Sequence, residues 1–207
     1  MMYSRTEERW NVITHGFGVL LSVAGLVILL NRDSYDTTIS RFSIIVYGIS
    51  LILLYSASTA YHLARKPQQR RLFRKLDHIS IYYLIAGTYT PVTLLSLSDS
   101  SGQWMFYAVW AVALFGTVLK VFFTGRFERF SLILYLIMGW LVVFDLGSLI
   151  ENQSTIGLSL LAVGGGSYTI GTIFYAVERI PYNHAIWHLF VLAGSVFHYF
   201  FILLDVI

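Results

Sequence analysis

Seven long apolar stretches, separated by short polar connections, constrain the fold of this chain more than any other feature of its sequence. Each has about 20 mostly apolar residues, the length that an α-helix needs to cross the hydrocarbon core of a bilayer. Continuous runs of this kind predict helices, because the strands of a membrane barrel are shorter and alternate in polarity. The predicted spans are 11–30, 42–63, 79–97, 104–124, 130–150, 156–177 and 184–204.

The composition supports an integral membrane protein. Of the 207 residues, 57% are hydrophobic and only 12% are charged, whereas soluble domains carry about a quarter charged residues. We therefore predict one all-α, seven-helix transmembrane domain over residues 1–207, with no room for a second soluble domain. The first apolar stretch has no small-residue cleavage site, so we expect a retained span.

The distribution of basic residues predicts the orientation. If the N-terminus lies inside, twelve of the 14 lysines and arginines fall in inside segments, and only Arg32 and Arg41 lie outside. This bias predicts a cytoplasmic N-terminus and an outside C-terminus in a multi-pass protein of the cell membrane, such as a bacterial inner membrane. Because the basic residues lie in short loops between spans, we do not expect nucleic acid as a partner. The oligomeric state stays open.

Five of the six histidines fall at span ends that this topology places on the cytoplasmic side. Ionisable groups at membrane depth are costly and therefore indicate a functional site. The chain has no cysteine, so a transition metal would need histidine, carboxylate or water ligands, which suits zinc. The five histidines are His15, His62, His78, His184 and His188.

Spacing selects three of these histidines as candidate metal ligands. His184 and His188 are four residues apart, so both rings lie on one helical face, and His62 ends the second span. Three histidines with an open fourth position are typical of catalytic zinc. The alternative for His184 and His188 is an interfacial pair that contacts headgroups and water.

Asp77 and Ser58 are the candidate catalytic residues. Ser58 lies four residues before His62 on the same face, and Asp77 precedes the third span at the same membrane level. Asp77 could bind a zinc-bound water or orient a ligand imidazole, or it could be a solvated carboxylate that pairs with Arg74 or Lys75. The alternative for Ser58 is a hydroxyl bonded to the backbone carbonyl one turn earlier.

The remaining polar residues have simpler interpretations. His15 is either a fourth ligand or a supporting residue, and His78 points about 100° away from Asp77 around the helix. His198 lies about 15 Å beyond His188, which predicts a separate polar contact within the membrane. Asp145 is interpreted as an interfacial carboxylate, and the glycines at 164–166 as a close helix contact.

The motifs that carry these residues resemble the hemolysin III branch of the progestin and adipoQ receptor family, over nearly the whole chain. They occur in the same order and on the same spans. The motifs are Glu8-Arg-Trp-Asn-Val-Ile-Thr-His15, Ser58-Thr-Ala-Tyr-His62, Leu76-Asp-His-Ile-Ser-Ile-Tyr-Tyr83, Gly87-Thr-Tyr-Thr-Pro91 and His184-Ala-Ile-Trp-His188.

The resemblance implies seven helices with a cytoplasmic N-terminus and a zinc ion held by His62, His184 and His188. It also implies that Asp77 contacts the metal through a water and that Ser58 lies beside it. The family is similar to the alkaline ceramidases, which suggests a hydrolase acting on lipid amides. Membrane-fluidity homeostasis and a cytolytic label are further roles attached to this branch.

Two functions of different classes follow from these observations. The first is a zinc-dependent hydrolase of a membrane lipid amide or ester, in which zinc polarises the substrate carbonyl, Asp77 is the general base and Ser58 stabilises the oxyanion. The second is a non-enzymatic, hemolysin-like cytolytic protein or a sensor of the membrane state with structural zinc. In both, a membrane lipid is the expected substrate or ligand.

Overall fold

A computed structural model describes residues 4–207, so the first three residues of the predicted domain lie outside the described part of the chain. The described residues form eight α-helices, of which the fifth and sixth are the two halves of one broken crossing, and contain no β-strand. The predicted all-α, seven-helix architecture is confirmed. The helices are α1 Arg5–Arg32, α2 Thr38–Leu63, α3 Pro67–Pro91, α4 Gly102–Phe123, α5 Glu128–Gly139, α6 Leu146–Asn152, α7 Thr155–Ala176 and α8 Asn183–Phe201.

Six of the seven helical units are long and apolar enough to cross a membrane. The exception is α3, whose first half carries the charged run 67–78 and whose apolar half continues into a π-helical turn, Val92–Ser96. Large apolar side chains cover the outside of the bundle. Phe144 is 78% exposed and Phe122 is 72% exposed, as expected for a surface in contact with lipid rather than water.

Polar caps explain where several helices begin. The Ser4 hydroxyl accepts a hydrogen bond from the backbone N–H of Glu7 at the start of α1. Thr37 and Ser40 form a reciprocal capping box at the start of α2, and Ser154 caps α7. Each cap satisfies a backbone donor that the first helical turn leaves unpaired.

The fifth crossing is not one continuous helix, which differs from the prediction for residues 130–150. The α5 helix ends at Gly139, a 3-10 turn covers Leu141–Asp145, and α6 follows. The Tyr89 hydroxyl donates to the Gly139 carbonyl at 3.0 Å and accepts the Val142 N–H at 2.8 Å. A side chain from α3 thereby satisfies backbone groups that the break frees, as non-helical backbone at membrane depth requires.

The helices form a ring around an internal cavity. The α1 helix packs against α2 and α8, α2 packs against α3, α3 packs against α4 and α5, and α7 packs against α8 and α5. The α7–α8 contact is close because Gly164 faces the His198 ring and Gly171 faces Trp187. Of the three glycines at 164–166, only Gly164 makes the predicted contact, since a Cβ atom at Gly165 or Gly166 would have no neighbour within 4 Å. The ring brings the histidine-bearing ends of α1, α2 and α8 together.

Candidate metal centre

His62, His184 and His188 meet at the predicted cytoplasmic end of the bundle. His62 lies in the last turn of α2, and the other two lie in the first two turns of α8. One ligand atom from each of the three lies within 4.8 Å of those of the others. The ring centroids are 5.2 Å apart for His62 and His184, 5.1 Å for His62 and His188, and 4.6 Å for His184 and His188.

The three side chains fit a divalent transition metal in chemistry and in size. All three are buried, and imidazole nitrogen is a preferred ligand of zinc. Zinc–nitrogen bonds of about 2.0–2.1 Å place the ligand atoms of a tetrahedral site about 3.4 Å apart. The candidate ligand nitrogens, which lie within 4.8 Å of one another, are spaced on this scale. Their burial also argues against an interfacial pair in contact with headgroups.

The start of α8 fixes where the two histidines of that helix point. Tyr182 precedes the helix with a φ of 57°, a left-handed conformation that turns the chain sharply into α8. The Asn183 amide donates to the Phe174 carbonyl at 3.0 Å and thereby holds the turn against α7. Because His184 and His188 are one helical turn apart, both imidazoles then face the end of α2.

Polar side chains of α1 contact the far side of two of the candidate ligands. Nδ1 of His62 lies 2.6 Å from Oε2 of Glu8 and 3.4 Å from Nδ2 of Asn11. Nδ1 of His188 lies 3.5 Å from the Thr14 hydroxyl. Such contacts fix the orientation of metal-binding imidazoles in many proteins. In both rings Nε2 is therefore the nitrogen that would ligate.

His15 packs on the cluster rather than pointing into its centre. Its ring stacks on His188 with 3.6 Å between centroids and 8° between planes, and it meets the Tyr55 ring edge-on at 5.0 Å. Both ring nitrogens of His15 are buried and have no hydrogen-bond partner among the described residues. This arrangement favours a supporting role over a fourth ligand.

Asp77 is buried beside the histidines. Arg74 pairs with Glu128 at 3.5 Å and Lys75 donates to the Val121 carbonyl at 3.2 Å, so the two neighbouring cations bind elsewhere. Asp77 lies in the charged half of α3, outside the six apolar spans. Burial raises the pKa of its carboxyl, and the nearby His78 offsets only part of that rise, which moves the pKa in the direction that a general base needs.

The Ser58 hydroxyl lies in the same layer. Ser58 is fully buried, and its oxygen has no hydrogen-bond partner among residues 4–207. The alternative of a hydroxyl bonded to the backbone carbonyl one turn earlier is therefore wrong. The Ser58 hydroxyl acts on the neighbouring Asp77 carboxyl and lowers its pKa, which offsets part of the rise caused by burial.

The other singled-out polar residues bond to partners other than the three candidate ligands. Nδ1 of His78 lies 3.2 Å from Oε2 of Glu128, so its ring faces α5. Nε2 of His198 lies 3.2 Å from the Leu161 carbonyl in the membrane interior. Asp145 accepts a hydrogen bond from the backbone N–H of Ser101 at 3.0 Å near the opposite end of the bundle.

A long apolar cavity begins at the histidine cluster. It has a volume of about 120 Å³, and its lining follows α8 from His184 to His198, roughly 21 Å along the helix axis. Asp77 lies at the same end as His184, and α3, α5 and α7 form the other walls. The polar centre therefore lies at one end of a largely apolar cavity.

Three residues near the start of α1 contribute to the site without having been predicted to do so: Glu8, Asn11 and Thr14. Their signal is the spacing before His15: Glu8, Asn11 and His15 follow one another at three and four residues, which places them on one face of α1. That face carries acid, amide and imidazole groups at the end of an apolar helix. Such a polar stripe indicates an internal contact rather than exposure to lipid.

Comparison with known proteins assigns the chain to a family. The family model described as Haemolysin-III related matches residues 3–199. The chain belongs to the hemolysin III family. It is 44% identical to Hemolysin-3 of Bacillus cereus over 202 residues, which covers 97% of this chain and 92% of that protein. It is 43% identical to the Hemolysin-3 homolog of Bacillus subtilis (strain 168), over 98% of this chain and 95% of that protein.

More distant relatives of this hemolysin III protein occur in animals. It is 31% identical to the human monocyte to macrophage differentiation factor over 94% of this chain and 82% of that protein. No solved structure matches the chain significantly. Bacterial hemolysin III relatives and six membrane-crossing helices identify it as a multi-pass protein of the cell membrane.

Proposed function

We propose that this hemolysin III protein is a zinc-dependent hydrolase that cleaves an amide or ester bond of a membrane lipid and thereby takes part in membrane lipid homeostasis. One observation carries the proposal: the apolar cavity starts at His184, His188 and Asp77 and continues into the membrane interior. A lipid whose acyl chain lay in this cavity would have its carbonyl beside the polar cluster.

His62, His184 and His188 would hold the zinc through imidazole nitrogens. When bound, zinc polarises a carbonyl and lowers the pKa of a water that it binds. The protein supplies the position of that chemistry, since the three histidines lie at the end of α2 and the start of α8. Burial of all three keeps competing water out of the site and strengthens the electrostatic interactions there.

Asp77 and Ser58 would carry the proton transfer and the charge stabilisation. Asp77 accepts the proton of the attacking water, since it is a buried carboxylate on the cavity wall. Ser58 donates its hydroxyl hydrogen to the oxygen that becomes negative as the carbonyl is attacked. The side chains of the apolar cavity hold the acyl chain and exclude water from it.

The alternative is a non-enzymatic protein in which zinc is structural. The names of the two Bacillus relatives favour a cytolytic activity, and zinc ligands from α2 and α8 would clamp those helices. The cavity favours the enzyme, because a clamp alone needs no channel that leads away from the metal. A membrane lipid is the expected ligand in either case.

Turnover of lipids by the purified protein tests the proposal. The zinc-loaded protein in nanodiscs is incubated with ceramides and with phospholipids, and released fatty acid is measured by mass spectrometry. Wild type and the exposed-carboxylate control Glu151→Gln should release fatty acid. His188→Ala and Asp77→Asn should reduce the rate by about 10²-fold or more.

Zinc content measured on the same samples separates the two functions. Stoichiometric zinc without product from any lipid class would support structural zinc and reject the hydrolase. Product formation by His188→Ala at the wild-type rate would reject the metal site as the catalytic centre.

A further inference from the structure

The carboxylate of Glu8 bridges a candidate metal ligand and a cation in the charged half of α3. Its Oε2 atom lies 2.6 Å from Nδ1 of His62, and its Oε1 atom accepts a hydrogen bond from the Arg70 guanidinium. The three residues come from α1, α2 and the charged half of α3. We infer that Glu8 is a positioning residue that selects the metal-binding tautomer of His62, an inference that rests on the proposed metal site.

The position of the hydrogen on the His62 ring decides which of its nitrogens can bind a metal. A neutral imidazole has one N–H donor and one acceptor nitrogen, and only the acceptor nitrogen can bind a metal. A carboxylate can only accept, so a hydrogen bond to Glu8 requires the hydrogen on Nδ1. Nε2 then has the lone pair and serves as the ligand atom.

The Asn11 amide favours the opposite tautomer of His62. Its amide nitrogen Nδ2, a donor, lies 3.4 Å from Nδ1 of His62. A hydrogen bond from that amide would require Nδ1 to accept and would place the hydrogen on Nε2, which could then not bind a metal. The contact to Glu8 is 0.8 Å shorter and involves a charged acceptor, so Glu8 decides the tautomer.

Arg70 keeps Glu8 in place for this role. Its guanidinium binds the carboxylate oxygen that His62 does not use and lies over the Tyr61 ring, 4.8 Å from the ring centroid. Tyr61 is the residue before His62, so Arg70 is held by the same turn of α2 that carries the ligand. The cation also stabilises the ionised form of Glu8, the form that is restricted to accepting.

A purely structural role for Glu8 would be to tie α1 to α2. That role predicts lower stability on substitution but no change in the position of one hydrogen. It also predicts that Glu8→Gln, which keeps the shape of the side chain, would retain most of the stability. The tautomer role predicts instead that a carboxylate introduced on another side chain beside Nδ1 returns the hydrogen to Nδ1.

The test reads the tautomer in the metal-free protein. Long-range ¹⁵N–¹H spectra of histidine-labelled protein report which ring nitrogen carries the hydrogen, and His62→Ala assigns the signal. Wild type should show the hydrogen on Nδ1, and Glu8→Ala should move it to Nε2. Asn11→Asp in the Glu8→Ala background should return it to Nδ1, while Glu7→Gln, a change in the adjacent carboxylate, should match wild type.

Zinc affinity by chelator competition gives a second readout. We expect Glu8→Ala to bind zinc about 10–100-fold more weakly than wild type, the double variant to recover most of that loss, and Arg70→Gln to lose less than Glu8→Ala. The inference would be overturned if the His62 tautomer were unchanged in Glu8→Ala, or if the hydrogen did not return to Nδ1 in the double variant. Glu8→Met, which keeps a side chain of similar length without a carboxylate acceptor, serves in place of Glu8→Ala if the latter does not fold.

The two readouts keep this inference separate from the proposed function. If no variant binds zinc but the tautomer moves as described, the metal site fails and the action of Glu8 on His62 stands. If zinc binds in all variants with one affinity, the metal site stands and the inference fails.

Discussion

The imidazole rings of His15 and His188 stack face to face, 3.6 Å apart and within 8° of parallel. The stack buries both nitrogens of His15 without a hydrogen-bond partner among the described residues. His15→Phe keeps a flat ring in this place and removes two polar atoms, so we expect zinc content to be unchanged and stability to be equal or about 1 kcal/mol higher. Metal analysis and thermal unfolding measure the two quantities.

His15→Ala is the matched variant that lacks the ring. Alanine removes the ring against which His188 rests, so the imidazole gains freedom and zinc affinity should fall by roughly tenfold. Loss of zinc in His15→Phe would show instead that His15 is a fourth ligand.

Removal of the metal should weaken the bundle. A zinc ion bound to His62 and His184 joins α2 to α8, and a ligand that binds only the folded state stabilises it by about 4 kcal/mol at a free concentration 1,000 times its Kd. A strong chelator should therefore lower the Tm of the wild-type protein. His188→Ala is the control, since its Tm should not respond to the chelator. Equal responses from both proteins would place the metal elsewhere.

Two glycines of α7, two residues apart, should respond oppositely to substitution by alanine. A Cβ atom at Gly164 would lie 2.2 Å from Cδ2 of the His198 ring, whereas a Cβ atom at Gly166 has no neighbour within 4 Å. We expect Gly164→Ala to destabilise the protein by about 1–3 kcal/mol through overpacking. Gly166→Ala should be neutral or up to about 1 kcal/mol stabilising, because alanine favours the helix. Unfolding in detergent with denaturant measures both, and equal effects would contradict the close α7–α8 contact.

The negative charge of Glu128 compensates the buried positive charge of Lys120. Its side chain is fully buried, and its ammonium lies 2.7 Å from the Glu128 carboxylate. Glu128→Gln removes the negative charge and should cost about 3–5 kcal/mol of unfolding free energy. Lys120→Met in the Glu128→Gln background should recover most of that loss. A double-mutant cycle measures the coupling between the two residues. The prediction would be refuted if Glu128→Gln lost less unfolding free energy than the exposed control Glu151→Gln.

The positions of the histidines along the chain explain why the cluster could be predicted. His62 ends one span and His184 begins another, so alternating crossings place them in one layer regardless of how the helices pack. The spacing of His184 and His188 adds a shared face. These relations depend only on span length and helix period, which the sequence carries directly.

The contacts of α1 and the break in the fifth crossing depend on tertiary packing. Whether Glu8 meets His62 is decided by the rotation of α1 about its own axis, which follows from contacts such as that of Gly18 with the Tyr55 ring. The break after Gly139 persists because Tyr89, fifty residues earlier, satisfies the freed backbone groups. Local sequence patterns contain neither relation.

The cavity has consequences for how such a protein can diversify. Its candidate metal ligands come from α2 and α8, whereas α5 and α7 supply wall positions such as Leu136 and Thr172. Substitutions in α5 or α7 would change the shape of the cavity without altering the spacing of the three histidines. Under the proposed function, ligand preference and metal binding would then evolve separately, and descendants of one ancestral bundle would acquire different lipid preferences while keeping one inorganic centre.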